Sequence, residues 1–477
     1  MTPDTPKGTW IDTDVPPRLD ALGWSRWHER VVVALGITWV LDGLEASLIS
    51  NLAPTLQRPE ALGLSASQVG LASSVYLAGQ VAGALLFGWL TDRLGRKRLF
   101  LVTLAVYLSA TALSGLATGL GVFLVFRFFA GTGIGGEYSA INSAIDELVP
   151  ARIRGQVDLA INGSYWVGVG LAAAGTLLLV DPRFVPPALG WRLSFFFGAI
   201  LGVGILAVRR HVPESPRWLL THGYVRAARE TVLRIESDAG PAAASMREVE
   251  TIRFQVVGRV GLRELFHAMV VRFPRRTVLG VALLVAQAFL YNAIFFSYGL
   301  VLTQFHHVRA ERVGLFMIPF AIGNFLGPVV LGPLFDRWGR RRMISGTYAL
   351  SAVLLLLTGA LFVAGLLDAT TQTLAWAAVF FVASAAASSA YLTVSELFPI
   401  ELRGLVIGVF YAFATLLSAG APALFGAIVQ SGEPWRLFAG YAIAAALMLG
   451  AALVARVYAV DAEGRSLEQV TRHDSGG

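Results

Sequence analysis

Cysteine is absent from the 477 residues, so neither a disulfide framework nor a thiolate metal site is available. Charge is scarce: Asp, Glu, Lys and Arg make up 14% of the chain, against about 25% in a soluble globular domain. That shortage argues against a water-soluble enzyme, and also against disorder or a coiled coil, which need more charge and fewer aromatics. Histidine is rare too, and His28, His211, His222, His306 and His307 fall in aqueous segments, leaving no histidine metal cluster or proton relay in hydrocarbon. Met1 to Gly23 is rich in Pro and Asp and lacks the regions of a signal peptide, so it reads as a loose cytoplasmic tail. What remains is apolar, with 55% hydrophobic types and a mean hydropathy of +0.64. The net charge of +7 has no soluble basic module to carry it, which removes nucleic acid as a partner.

Apolar runs lie near residues 31–57, 66–90, 99–117, 121–146, 156–180 and 192–208. After a polar interval they resume near 277–302, 312–335, 343–366, 372–394, 404–430 and 436–458. Each can cross a core of about 30 Å as a helix of about 20 residues. The expected fold is an all-α membrane protein of twelve transmembrane helices in two six-helix bundles. Its parts are a tail over 1–30, a first bundle over 31–209, a cytoplasmic linker over 210–275, a second bundle over 276–458 and a tail over 459–477. Arg93, Arg96, Lys97 and Arg98, then Arg152 and Arg154, Arg337 with Arg340–Arg342, and Arg403 crowd alternate loops. This asymmetry makes both termini and the linker cytoplasmic and the protein a multi-pass resident of the plasma membrane. Within the linker, Tyr224–Ile235 and Pro241–Val256 read as short amphipathic helices on the membrane face.

The chain also repeats itself. Gly88, Asp92, Arg93, Gly95 and Arg96 recur 244 residues later as Gly332, Asp336, Arg337, Gly339 and Arg340. Glu147, Pro150, Arg154 and Gly155 recur after 249 as Glu396, Pro399, Arg403 and Gly404, and Glu214 recurs as Glu463. Two parallel six-helix repeats facing each other are a transporter architecture with the solute near the bilayer midplane. The duplicated Gly-x3-Asp-Arg-x-Gly-Arg segment, Arg127–Gly136 (RFFAGTGIGG), Pro213–Leu219 (PESPRWL) and Ser395–Gly404 (SELFPIELRG) together resemble the major facilitator superfamily. Its sugar porters, its metabolite and aromatic-acid proton symporters and the synaptic-vesicle-2-like proteins are the nearest branches. The resemblance spans roughly residues 31 to 468.

Ionisable side chains in hydrocarbon are costly, about 2.5 kcal/mol or more each, so each needs an account. At about 1.5 Å per residue from Val31, Asp42 lies about 16 Å and Glu45 about 21 Å into the membrane. Arg127, entering from the other side near Gly121, lies about 9 Å below the outer surface of a core about 30 Å thick, level with Glu45. An acid and a base at one depth suggest an ion pair that Glu45 leaves by taking a proton, which would couple proton movement to conformation. A fixed structural pair that never titrates is the alternative. The resemblance implies the first reading: sugar porters have an Asp proton acceptor matching Glu45 and a partner matching Arg127, and aromatic-acid symporters share the acidic pair Asp42 and Glu45. Asp42 is either a second proton site or a bond to a neighbouring helix. Glu137, about 24 Å in from the outer surface, is either a cavity or gate residue, as the resemblance implies, or a helix-packing hydrogen bond. Glycines 131, 133, 135 and 136 read as packing, since no strand precedes them as a dinucleotide loop requires.

Asp92, Arg93, Arg96, Glu147, Arg154 and Glu214, with Asp336, Arg337, Arg340, Glu396 and Arg403, are expected to form a cytoplasmic gate that closes when the cavity faces outward. These arginines also fix topology. Cavity candidates are Asn162 and Trp166 in the fifth run, Gln287, Tyr291, Asn292 and Phe296 in the seventh and Tyr391 in the tenth. An aromatic stripe is equally ordinary packing or lipid-facing material. Sugar porters carry a paired Gln and a Gly where this chain has Ala286 and Leu290, and a Trp where it has Tyr391. With those donors missing, a sugar fits less well than a small organic anion or an aromatic acid. The expectation is a secondary active transporter and not an enzyme, working by alternating access as a proton-coupled symporter. The proton is its coupling ion, with no cofactor and no metal, and its partners are a small solute and the lipid bilayer, the chain being a monomer. The competing readings are a proton-independent uniporter or exporter of a sugar, organic cation or drug-like solute, and a receptor that binds without flux.

Overall fold

The computed structural model describes residues 4–94, 96–149, 154–209, 214–240, 251–256, 262–398 and 400–459. A strand β1 (Trp10–Thr13) and a helix α1 (Val15–Ala21) come first. Six long helices follow: α2 (Arg26–Leu56), α3 (Ala66–Leu94), α4 (Arg96–Ser114), α5 (Leu120–Leu148), α6 (Arg154–Leu179) and α7 (Pro187–Arg209). The linker holds α8 (Pro216–Thr221), α9 (Val225–Ala239), strand β2 (Ile252–Gln255), α10 (Leu262–His267) and a π-helical turn over Ala268–Arg272. The second set is α11 (Pro274–His306), α12 (Val313–Trp338), α13 (Arg340–Val363), α14 (Ala369–Leu397), α15 (Ile400–Ser418), α16 (Ala421–Ser431) and α17 (Pro434–Tyr458).

Among the described residues nine spans are long and apolar enough to cross a membrane, beside shorter apolar stretches at Leu99–Ser114 and Pro187–Val203. Helices are the form such sequences must take, because hydrocarbon offers no partner for an open backbone group. The outer surface is correspondingly apolar: Leu85, Leu171, Ile200, Val329, Leu357 and Leu453 all face outward. The architecture is that of twelve spanning helices, with α15 and α16 together forming the eleventh.

The repeat seen in the sequence is repeated in the packing. In the first set α2 lies on α6, α3 on α5 and α4 on α7; in the second α11 lies on α15, α12 on α14 and α13 on α17. The halves meet where α6 touches α12, α3 touches α15 and α16, and α2 touches α11. Glycine makes the closest seam possible. A Cβ on Gly43 of α2 would lie 1.9 Å from the Tyr165 carbonyl oxygen of α6, and one on Gly168 would lie 1.8 Å from that of Val40. Gly131 and Gly135 serve the α3–α5 seam in the same way, each 2.0 Å from a carbonyl oxygen of α3 by that measure.

Three expectations need correction. The N-terminal segment is docked rather than loose. β1 pairs antiparallel with β2 from Trp10↔Gln255 to Thr13↔Ile252, Arg18 Nε donates to Glu236 at 2.8 Å, and Arg217 bonds Asp20 at 2.8 Å. Pro16 and Pro17 occupy the first turn of α1, where a missing N–H costs nothing, and Val15, Leu19 and Leu22 are buried beside α9 residues Ala228, Val232 and Ile235. The helix expected over 241–256 is a strand at 252–255, while 241–250 lies outside the described residues. The run at 404–430 breaks at Ala419 and Gly420, ahead of Pro422. There α3 comes so near that a Cβ on Gly70 would lie 2.3 Å from the Pro422 carbonyl oxygen.

Candidate solute and proton site

Glu45 sits on α2 two residues beyond Gly43, where that helix is pressed against α6. Arg127 reaches it from α5. Its Nη1 donates to Glu45 Oε1 at 2.6 Å, and the two side chains are 0% and 3% exposed. The guanidinium lies over the Tyr76 ring at 4.5 Å and 5.7 Å from that of Phe195, so aromatic faces supply part of the solvation that water would give. Arg127 Nε and Nη2 carry no hydrogen bond among the described residues. Asp42 is buried at 1% exposure and acts electrostatically on Tyr165 and Tyr76, as Glu45 and Arg127 act on Tyr76. One cluster thus holds two acids, one base and two phenols. Glu137 is also fully buried.

From this cluster a path of aromatic rings crosses to the second half. Tyr76 meets Phe296 at 6.2 Å between centroids, Phe296 meets Phe295 at 5.4 Å, and Phe295 meets Trp166 at 5.9 Å. Trp166, on α6, also faces Tyr291 at 5.9 Å and Phe320 at 5.8 Å. Tyr291 in turn stands edge-on to Phe380 at 4.8 Å. Two polar pairs start from adjacent residues of α11. Tyr291 donates its hydroxyl to Asn324 Oδ1 at 3.0 Å, and Asn292 Nδ2 donates to Ser418 Oγ at 2.8 Å. Asn162 is half-buried on α6, and Gln287 Oε1 is buried with no hydrogen bond among the described residues.

The structure therefore brings Glu45 to Arg127, Trp166 to Tyr291, and Phe296 within ring contact of Tyr76. Tyr291 and Asn292 face different partners, α12 and α15. The side chain of Tyr391 lies outside the described residues. So do those of Asp92, Arg93, Arg96, Glu147, Arg154, Asp336, Glu396 and Arg403; Glu214 and Arg340 are half-buried and Arg337 is exposed. Sequence reasoning missed Tyr76, Tyr165, Phe320, Phe380, Ser418 and Asn324. Only Asn324 left a signal, as a lone amide in an apolar run that needs an internal partner. Its partner is Tyr291.

At the end remote from the linker the halves are bonded to each other. Arg58 at the end of α2 pairs with Glu311 before α12, Ser67 N–H donates to Gln430 at 3.1 Å, and Ala423 N–H donates to Ser74 at 3.0 Å. Deeper in, Ser50 donates to the Phe295 carbonyl at 2.6 Å.

Known proteins carry the same plan. The niacin transporter NiaP of Acinetobacter baylyi is 25% identical over 464 residues, 96% of this chain and 99% of its own. Myo-inositol transporter 2 of Schizosaccharomyces pombe is 28% identical over 87% of this chain and 77% of its own. Among solved structures, the proton:xylose symporter XylE bound to a bromodeoxyglucose shares the fold with a TM-score of 0.73 at 20% identity, covering 93% of this chain and 98% of that one. The inward-open form of XylE from E. coli gives 0.69 at 20% identity over 92% and 98%. The family described as sugar (and other) transporter matches residues 40–473. With twelve spanning helices, a doubled six-helix plan and that match over most of its length, the chain belongs to the sugar (and other) transporter family of the major facilitator superfamily, as a multi-pass membrane transporter and not an enzyme.

Proposed function

We propose that the chain is a proton-coupled symporter of a small aromatic carboxylate, working by alternating access. The observation that carries this reading is the buried Glu45–Arg127 pair, joined by a run of rings to aromatic side chains of both halves. A buried pair loses its balance when one member is neutralised, since the remaining charge is left in a medium that solvates it poorly. A proton on Glu45 therefore frees Arg127. Its Nε–H and Nη2–H groups can then hold a carboxylate, for which a guanidinium is the best-matched side chain. Trp166, Tyr291, Phe295 and Phe320 offer faces and edges for a planar ring at one end. The niacin transporter among the relatives supports this choice, niacin being a pyridine carboxylic acid.

On the same reading the far end, bonded through Arg58 and Glu311, stays closed while solute leaves toward the linker, and the repeated charges from Asp92 to Arg403 close the linker end in the opposite state. Asp42 and Glu137 share or relay the proton. Both termini lie in the cytoplasm and the membrane is the plasma membrane. A polyol is the second reading, favoured by the two polar pairs at Tyr291 and Asn292 and by the myo-inositol relative.

Purified protein in proteoliposomes tests both. With a pH gradient imposed, nicotinate and related aromatic acids should accumulate, while myo-inositol and organic cations should not. Glu45→Gln should abolish accumulation and leave exchange of internal for external solute. Uphill uptake equal to wild type in that variant would remove Glu45 as the coupling residue, and accumulation of myo-inositol in place of nicotinate would select the polyol.

A further inference from the structure

Outside the transport path, at the linker end of the second half, a groove of about 440 Å³ runs between the start of α13 and the end of α17. Its rim carries Arg342 and Arg456, both exposed. Among the described residues neither has a carboxylate partner; Arg341 beside them donates Nε–H to the Arg456 carbonyl at 2.6 Å and so ties the two helices together. Gly346 and Ala452 are the small residues that open the groove, and nothing lies within 4 Å of where a Cβ on Gly346 would stand. Its outer wall is Leu449 and Leu453, which are 42% and 67% exposed and continue the apolar outer surface of the bundle.

The two ends of this groove call for opposite chemistries. The charged rim attracts an anion, while the leucine wall offers a water-soluble anion nothing to bind. From Arg456 back to Leu449 the helix rises about 10 Å, so the groove leads from the level of the headgroups into the hydrocarbon. A molecule with a phosphate at one end and acyl chains at the other satisfies both ends at once. We infer that this groove is a binding site for one anionic phospholipid, its phosphate held between Arg342 and Arg456 and a chain lying along Leu449 and Leu453 over Gly346. Basic pockets between membrane helices at the side with the positive loops are where such headgroups bind, and this end of the chain holds Arg337, Arg340 and Arg341 as well. The bound lipid would bridge α13 and α17, which pack on each other in the second half.

The test uses the full-length protein in detergent, exposed to equal amounts of phosphatidylglycerol and phosphatidylcholine and read by native mass spectrometry. Phosphatidylglycerol should be retained at least about fivefold over phosphatidylcholine. Arg342→Gln/Arg456→Gln should bring the two lipids to parity. Gly346→Leu keeps both charges and fills the groove, so it should lower phosphatidylglycerol occupancy while eluting as wild type from gel filtration. Equal retention of the two lipids by wild type overturns the site, as does a phosphatidylglycerol preference that survives the double variant. Undiminished occupancy in Gly346→Leu overturns it too, because attraction to diffuse surface charge needs no groove.

Discussion

Asp42, Glu45, Arg127 and Glu137 are all buried in the first six helices. Among the described residues of α11 to α17, the buried side chains with hydrogen-bonding groups are Asn324, Gln372, serines, threonines, tyrosines and Trp376, with Arg276 near the linker as the buried ion. The scaffold is nevertheless the same in both halves. The 249-residue offset carries α5, Leu120–Leu148, onto α14, Ala369–Leu397, and Arg127 onto Trp376. Where Arg127 lies over Tyr76, Trp376 lies 4.8 Å from Tyr298. An aromatic partner is kept and the charge is not. A charge in hydrocarbon is costly without a counter-charge beside it, so where the first half keeps Arg127 together with Glu45, the second has a neutral residue at the matching place. The proposed division follows: the first half handles the proton and, through Arg127, the carboxylate of the solute, and the second supplies most of the neutral groups around the solute's ring.

The largest effect should come from breaking the pair on one side. Arg127→Met leaves the Glu45 carboxylate buried without a counter-charge and should cost about 3–5 kcal/mol of stability, seen as a lower unfolding temperature in detergent. Glu45→Gln added to it should restore most of the loss, since both charges are then gone. Trp376→Phe at the matching place in the second half removes packing alone and should gain nothing from Glu45→Gln. If the single and double variants at Arg127 are equally unstable, the two residues are not coupled and the contrast between halves fails at its centre.

A smaller change should sharpen the division. Tyr291→Phe removes the hydroxyl that Asn324 accepts and leaves Asn324 Oδ1 without that bond in a buried place. A lost hydrogen bond of this kind is worth about 1 kcal/mol, or roughly fivefold in affinity. Solute concentration for half-maximal uptake should rise by about that factor, with the steepness of the response to the pH gradient unchanged. Loss of proton-driven accumulation at unchanged affinity would put Tyr291 on the proton side.

How much of this could be read from the chain alone differs between levels. Helix number and the doubled plan were legible, because a bilayer fixes span length and the repeated Asp-Arg-x-Gly-Arg segments mark equivalent loops. The meeting of Glu45 and Arg127 was legible as well, because rise per residue turns sequence position into depth. What escaped was whatever depends on rotation of one helix about another. Tyr76, Tyr165 and Phe320 complete the site through helix-helix facing, and an all-round apolar helix gives no period from which to read its inner face. The N-terminal segment escaped for another reason. Its prolines and aspartates look like those of a loose tail, yet they start α1, and its strand finds its partner some 240 residues away.

The least of the expected effects lies where the two halves begin equivalent helices differently. The carbonyl of Gly119 accepts the first bond of α5, from Phe123, and at the matching position Asp368 caps α14 through a side chain that accepts the Thr371 N–H at 2.7 Å. That N–H, with the Thr371 hydroxyl, holds the Asp368 carboxyl below its ordinary value of 3.8. A carboxylate whose value is depressed by folding contributes stability above that ordinary value and loses it as pH falls through the folded one. Asp368→Gly, which copies the first half, should therefore lower the unfolding temperature slightly at pH 7, and the gap to wild type should narrow as pH falls below 3.8 through the depressed folded value. A gap that does not narrow would mean that the side chain works through shape rather than charge, and the two helix starts would then differ in sequence without differing in electrostatics.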